Sequence, residues 1–237
     1  MITCTTYSCQ VTAAKTVQKL SKSAVATRAL QLADAEGLET LTIRKLATDL
    51  GVTPMALYWH FRSKDELLGG LVDRVWSEID IDIDRGAPWP RQLRTLLESL
   101  VKVLRAHPAA SKLLLEFDAQ TEASMGPTEV TLEILRDAGF DPEMAAIVAR
   151  LTLWNGIMLV MSEPDSEFLE DEERDRFTRT KQAMLLSLPP AAFPRVIESA
   201  VPLTMCADPE AHYELGMTLF VAGVEALAAR RQGRQSQ

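Results

Sequence analysis

Between Thr42 and Phe61 the sequence reads TIRKLATDLGVTPMALYWHF, and no other run constrains the fold as tightly. Ile43, Leu46, Ala47 and Leu50 recur at the i, i+3, i+4, i+7 spacing of one buried helical stripe. Thr42 supplies the N-cap, and Gly51 ends the helix because a left-handed residue there suits glycine best. Thr53 caps a following short helix with Pro54 at its first position. Upstream, Ser21 or Ser23 opens a helix carrying Val25, Ala29, Leu32 and Ala33 that stops at Gly37. Downstream, Ser63-Lys64-Asp65-Glu66 is a capping box opening a longer helix toward Trp76. Three short helices, the last pair joined through a glycine turn, make a helix-turn-helix pattern over residues 42–61 within a unit spanning 21–80.

The short third helix carries Met55, Tyr58, Trp59 and His60 together. At about 100° per residue, Leu57 and Phe61 share one inward face, while Met55 and Trp59 fall on the opposite side with Ala56 beside them. Tyr58 and His60 flank the edges. A helix this short is not stable alone in water, so its outward face has a partner to meet. Two readings fit. Small and apolar groups meet thymine methyls in a major groove, with Thr53, Tyr58 and His60 near the phosphates. Alternatively, the Met55/Trp59 face is a protein-binding patch and the chain an adaptor without specific DNA binding. Arg44 and Lys45 favour the first reading. They sit in a helical first turn where the dipole is already positive, which costs about 0.3–1 kcal/mol without an anion. A phosphate there draws in Thr42, the free N–H groups and Arg44 together. Lys64 occupies the same kind of position, and Lys45 fits a solvent or carboxylate contact equally well.

The rest of the chain is punctuated helix. Stretches from about Arg91 to Ala106, Ala109 to Glu122, Pro127 to Ala138, Pro142 to Met161, Glu172 to Leu188 and Pro209 to Arg231 read as helices. Asp141-Pro142-Glu143 and Asp208-Pro209-Glu210 each offer a capping acid, a first-turn proline and a dipole-matched glutamate. Only IDIDIDR (Ile79 to Arg85) alternates with period two, and it reads as a frayed helix end and linker before Pro88. The expectation is an all-α chain of 237 residues: a disordered leader over 1–20, the helix-turn-helix unit, and a helical-bundle body over 88–232. Net charge is −8, but residues 21–64 carry +2 and the remainder −10. Only the first unit sits comfortably on phosphates, with Lys15, Lys19 and Lys22 as a possible minor arm. Three scattered cysteines make no disulfide framework or metal cluster, and a reducing cytoplasmic compartment is expected.

TIRKLATDLGVTPMALYWHFRSKDELL closely resembles the DNA-binding helices of TetR-type transcriptional repressors, densely from about Thr40 to Leu68. The body resembles that family's regulatory domain by helix pattern and size. The resemblance implies a homodimer whose third helices enter successive major grooves of a palindromic double-stranded operator. Thr53, Pro54, Met55 and Ala56 would approach bases, Tyr58 and Trp59 would pack on thymine methyls and sugar-phosphate, and Thr42, Arg44, His60 and Lys64 would hold phosphates. A small effector in the body would shift the helix starting at Ser63 and so change the spacing of the two recognition helices.

MAAIVARLTLWNGIMLVM (Met144 to Met161) is nearly apolar all round, but Arg150 and Asn155 interrupt it and an acidic run follows. It reads as a helix buried in a domain or dimer rather than a membrane span. The resemblance implies that this helix and the last one pair with their symmetry mates, through Ile147, Leu151, Leu215, Leu219, Ala222, Gly223 and Ala226. Intrachain core is the alternative. For a pocket, polar groups on apolar helices point to Asn155 beside Trp154 and Met158, with Phe117, Gln120, Met125 and His107, lining a site for a largely apolar effector. The same residues also fit an ordinary core, and His107 before Pro108 fits a structural cap. Founding members bind a magnesium–tetracycline chelate through a histidine in the helix after His107. Ala109 to Glu122 holds none, with Leu114 at the matching place, although Glu163 resembles the other end of that site. No metal site or other cofactor is expected. No glycine-rich phosphate loop, GxSxG elbow or HExxH is present, so nothing points to an enzyme.

Overall fold

A computed structural model describes residues 21–116, 121–162, 171–205 and 208–235, with side chains described for all of these but 171–174, 232, 234 and 235. Among them every regular element is helical. Ser21 accepts from the Ala24 N–H and opens α1 (Lys22–Glu36), which ends at Gly37 with φ +87°. A single 3₁₀ turn at Leu38–Thr40 leads into α2 (Ile43–Asp49), capped by Thr42 on the Lys45 N–H. Gly51, at φ +66°, turns the chain into α3 (Pro54–Tyr58), capped by Thr53. Ser63 caps α4 (Lys64–Trp76) on the Glu66 N–H at 3.0 Å. The Glu66 carboxylate returns to the Arg62 N–H at 2.8 Å, one residue before the cap itself. Leu30, Leu46, Leu57, Phe61, Leu67 and Leu71 close the core between these four helices, each almost wholly buried.

The period-two segment after α4 is irregular, and it anchors by Ile79 and Ile83, which are buried while Ile81 is exposed. The Asp80 N–H donates to Ser99 Oγ at 2.7 Å, tying it to the body. The body comprises α5 (Trp89–Ala106), α6 (Pro108–Glu116), α7 (Glu122–Asp137), α8 (Pro142–Met161), α9 (Asp171–Leu186), α10 (Pro194–Glu198) and α11 (Pro209–Gln235). Helices α5, α7, α8 and α11 pack together, α6 lies against α1, α4, α5 and α8, and α9 packs on α10. Both Asp-Pro-Glu signals act as expected: Asp141 accepts from the Met144 N–H and Asp208 from the Ala211 N–H.

Three differences from the sequence reading have physical reasons. Helix α7 begins at Glu122, not at Pro127. The Thr121 N–H is held by Ser124 Oγ at 3.2 Å, so the helix starts a turn early and Pro127 merely lacks one bond to the first turn. Helix α10 lacks an amphipathic signal long enough to be read. Helix α8 buries only one side: Ala145, Val148, Thr152, Gly156 and Val160 face the chain's own core, whereas Ile147, Leu151, Trp154 and Met158 are exposed. It is the one described helix long and apolar enough to cross a membrane, yet α5, α7 and α11 all pack on it.

Candidate DNA interface and effector cavity

Helix α3 lies on the surface by its inward edge alone. Leu57 and Phe61 are fully buried, and the side opposite is open: Trp59 is 86% exposed and Met55 67%. Tyr58, Thr53 and Pro54 are exposed as well, while Ala56 and His60 are half-buried. The helix is shorter than the aromatic run suggests, since Trp59 is already its C-cap and His60 lies in the following turn. Phe61 is locked in place from both sides. Its backbone N–H bonds to the Leu57 carbonyl at 2.9 Å, and the Lys22 ammonium sits 5.1 Å from its ring centroid.

Cations around this face divide into engaged and free. Arg28 grips Asp49 at 2.5 and 2.7 Å, which holds the Asp49 carboxyl below its usual range through the Arg28 hydrogen bonds. Lys22 pairs with Glu66 at 3.2 Å. Lys45 is bound to Glu36 and to Thr40 Oγ1, so it is a brace between α2 and α1. Arg44 and Lys64 are exposed and have no side-chain partner among the described residues. Thr42 and Thr53 spend an oxygen lone pair on capping and keep their hydroxyl protons for another acceptor.

A cavity of about 500 Å³ opens in the body beneath α4. Its walls come from five described helices and the segment after α4: Trp76, Ile79, Leu96, Leu100, Leu114, Thr131, Ala149 and Trp154 are representative. Polar relief is sparse. Thr131 and Thr152 donate to carbonyls of their own helices, at 2.7 and 2.9 Å, leaving their oxygens as acceptors. Arg150 and Glu116 are the two charged residues in the wall. A second groove, of about 540 Å³, lies at Arg85, Glu133 and Arg136. Five of its nine lining residues are charged, and Arg85 bridges to Glu133 at 2.9 Å.

Of the pocket residues read from sequence, Met125 and Trp154 line the cavity. Phe117 and Gln120, like Glu163, lie outside the described residues. Met158 and Asn155 are not in its wall: Met158 continues the exposed stripe of α8, and Asn155 keeps a buried Oδ1 with no partner among the described residues. His107 is also elsewhere. It is clamped between Asp34 and Glu78, because the end of α5 meets α1 and the exit of α4 at that point. Leu114 does line the cavity. Trp76, Thr131 and Thr152 were missed, although a threonine within an otherwise buried stripe was a usable signal.

Two exposed stripes run along the far side of the body. Ile147, Leu151, Trp154 and Met158 on α8, and Leu215, Leu219, Ala222 and Ala226 on α11, share one spacing (i, i+4, i+7, i+11) and are all exposed. Gly223 has open space where a Cβ would stand, whereas a Cβ on Gly216 would meet Leu159 Cδ2 at 2.2 Å. Close approach inside the chain therefore uses Gly216.

Four capped helices presenting an uncovered apolar face on α3, with exposed cations on α2 and α4 and a helical body packed against α1 and α4, are the arrangement of a helix-turn-helix DNA-binding regulator. Residues 26–71 match the model of bacterial regulatory proteins of the tetR family, and residues 84–228 match the tetracyclin repressor-like C-terminal domain. The tetracycline repressor protein class A from transposon 1721 of Escherichia coli is 30% identical over 223 residues, covering 90% of this chain and 93% of its own. The transcriptional repressor DrrR1 of Streptomyces coeruleorubidus is 29% identical over 232 residues, 92% and 82% of the two chains. Among solved structures, the ActR protein of Streptomyces coelicolor in complex with actinorhodin superposes with a TM-score of 0.75 at 28% identity, covering 88% of this chain and 97% of ActR. The chain belongs to the tetR family of transcriptional regulators, which bind DNA and are not enzymes.

Proposed function

We propose that this regulator is an effector-released repressor, acting in the cytoplasm as a homodimer on a palindromic operator. In this reading residues 21–80 bind DNA and 88–232 bind effector and partner subunit, with no metal or other cofactor. The observation that carries it is the outward face of α3, where Met55 and Trp59 stand uncovered, with Arg44 on α2 and Lys64 on α4 exposed and without a side-chain partner among the described residues. Apolar side chains so exposed suit thymine methyls, and free cations at the rim suit phosphates on either side. Thr53, Pro54, Met55 and Ala56 approach bases. Tyr58 and Trp59 pack on methyls and sugars, while Thr42, Arg44, His60 and Lys64 take the backbone.

The effector is a largely apolar molecule. The cavity's walls, its hydroxyl oxygens and its volume suit a drug-sized ring system, and the relative ActR is described in complex with actinorhodin. Occupancy would press on Trp76 at the end of α4 and so on the position of α3. Matching stripes on α8 and α11 support the dimer.

The test is a gel-shift titration against DNA flanking the protein's own gene, followed by random-sequence selection, at two salt concentrations. Salt-sensitive binding in dimer steps, lost in Trp59→Ala and in Arg44→Ala, is expected. Selection that enriches no sequence would leave the Met55/Trp59 face as a protein-binding patch and defeat the proposal.

A further inference from the structure

His107 has no place in the cavity, yet it is the best-connected imidazole in the described chain. Its Nδ1 lies 2.7 Å from Asp34 Oδ2 and its Nε2 lies 3.0 Å from Glu78 Oε2. The ring and both carboxylates are largely buried. The three residues come from three elements: Asp34 from α1, Glu78 from the exit of α4, and His107 from the junction of α5 and α6. Each carboxylate has a second duty. Asp34 Oδ1 accepts from the Ala109 N–H at 3.4 Å, and Glu78 Oε1 takes Arg74 at 2.7 Å. Other charges nearby along the packed helices are Asp73, which takes the Thr121 hydroxyl, Arg105, which is held by Glu210 and the Tyr213 ring, and Lys112.

The arrangement has one proton count that satisfies it. A neutral imidazole has one N–H and one bare lone pair, whereas the imidazolium donates from both nitrogens. Carboxylates only accept, so a neutral ring would set a lone pair against one of them. The Asp34 hydrogen bond first, and then the Glu78 bond and the charges of both, raise the His107 pKa against the opposing effect of burial. Because the folded value is raised, the stabilisation is whole below the ordinary imidazole pKa and is lost as pH rises through the raised one. The site is also wired to the cavity. Trp76 and Ile79, on either side of Glu78, are in the cavity wall, and so are Leu114 and Leu115 on the helix that His107 begins.

We propose that protonated His107 is an interdomain latch, pinning the end of α1 and the exit of α4 to the start of α6, so that losing its proton loosens the DNA-binding helices and weakens operator binding. This rests on the operator-binding reading, and its test separates the two. NMR titration of the full chain follows three histidine rings, His60, His107 and His212, assigned by His→Gln substitution. His107 is expected to titrate above the ordinary imidazole value and to drop in Asp34→Asn; a midpoint at or below the ordinary value overturns the latch without any DNA present. Operator affinity is then measured from pH 6 to pH 8.5 in a His60→Gln background, which removes the DNA-facing imidazole. Affinity should fall about five-fold or more, the scale of ordinary intersite coupling. His107→Gln should be weak and flat. Asp34→Asn should stay tight and flat, because its carboxamide N–H donates to the bare Nδ1 of a neutral ring. Parallel slopes in all three chains would overturn the coupling. Absence of operator binding in the parent would defeat the operator reading and leave the ring titration to decide the latch.

Discussion

Arg44 and Lys45 are adjacent in the sequence, sit in the same helical turn and have opposite fates. Lys45 reaches back to Glu36 and Thr40, because the left-handed Gly37 folds the end of α1 over the start of α2. Arg44 is exposed and has no side-chain partner among the described residues. Sequence placed both beside a phosphate-competent N-terminus and favoured Arg44 for the phosphate, but it left Lys45 open between phosphate and carboxylate, since the deciding contacts arrive from five and nine residues upstream around that turn. Their substitutions should differ in kind. Arg44→Ala should weaken binding evenly across operator variants and lower the salt-dependence slope by about 1, as expected for one phosphate contact. Lys45→Ala should leave the slope unchanged and cost stability by about 0.2–1 kcal/mol, the range of an exposed ion pair. Salt titrations of binding and urea denaturation of the two variants check this. Trp59 gives the complementary case: its Ala variant should lose binding while its unfolding midpoint stays put, because an indole so exposed contributes little to the core.

Elements were legible where a cap announced them. Thr42, Thr53, Ser63 and Asp141 each take the N–H three residues on, and each helix starts where its cap was read. Legibility failed at α7, where Thr121 is the N-cap and its N–H is held by Ser124 Oγ from within the first turn, a serine standing where the usual signal has Glu or Gln. Packing of α3 shows what sequence leaves implicit. A Cβ on Gly70 of α4 would stand 2.6 Å from Phe61 Cε1, and Phe61 is fully buried. Gly70→Ala should therefore destabilise the N-terminal helices by about 1–3 kcal/mol, the usual scale of overpacking, despite Ala's better helix propensity. A gain in melting temperature would show that the ring has room to move. Asp141 adds a pH dependence. Its cap on the Met144 N–H, and then its pairing with Arg231 of α11, hold its carboxyl below the usual range. A lowered folded pKa contributes stability that is present above the unfolded value and lost as pH falls through the lowered one. Asp141→Ala should thus lower the melting temperature at neutral pH and change nothing measurable once the parent carboxyl is protonated, by thermal melts from pH 7 to pH 2.

At the scale of the whole molecule, burial in one chain leaves work unfinished. The cavity draws its walls from helices far apart in sequence, so no local pattern disclosed Trp76, Thr131 and Ala149 as neighbours. The all-helical class and the uncovered outward face of α3 were legible because each rests on local periodicity and caps. The stripe on α8 was legible only as apolarity on every side, and its division into an inner and an outer face came from packing on α5, α7 and α11. That outer face, with its counterpart on α11, exposes Leu151, Trp154, Met158, Leu215 and Leu219 in a row. Patches of this kind mark association surfaces. A two-fold axis would bring each stripe against a copy of itself or of the other, giving four helices packed through leucines and small residues. Leu219→Glu places a carboxylate at the centre of that patch without touching the chain's own core, since Leu219 is 64% exposed. Sedimentation should then show monomer at concentrations where the parent is dimeric, with helical content retained. Operator affinity should fall with it, because a monomer holds one half-site and loses the paired contact one helical turn away, about 34 Å. If the variant stays dimeric, the stripes are not the interface. If it becomes monomeric and still binds the full operator as tightly, the two recognition helices do not act as a pair.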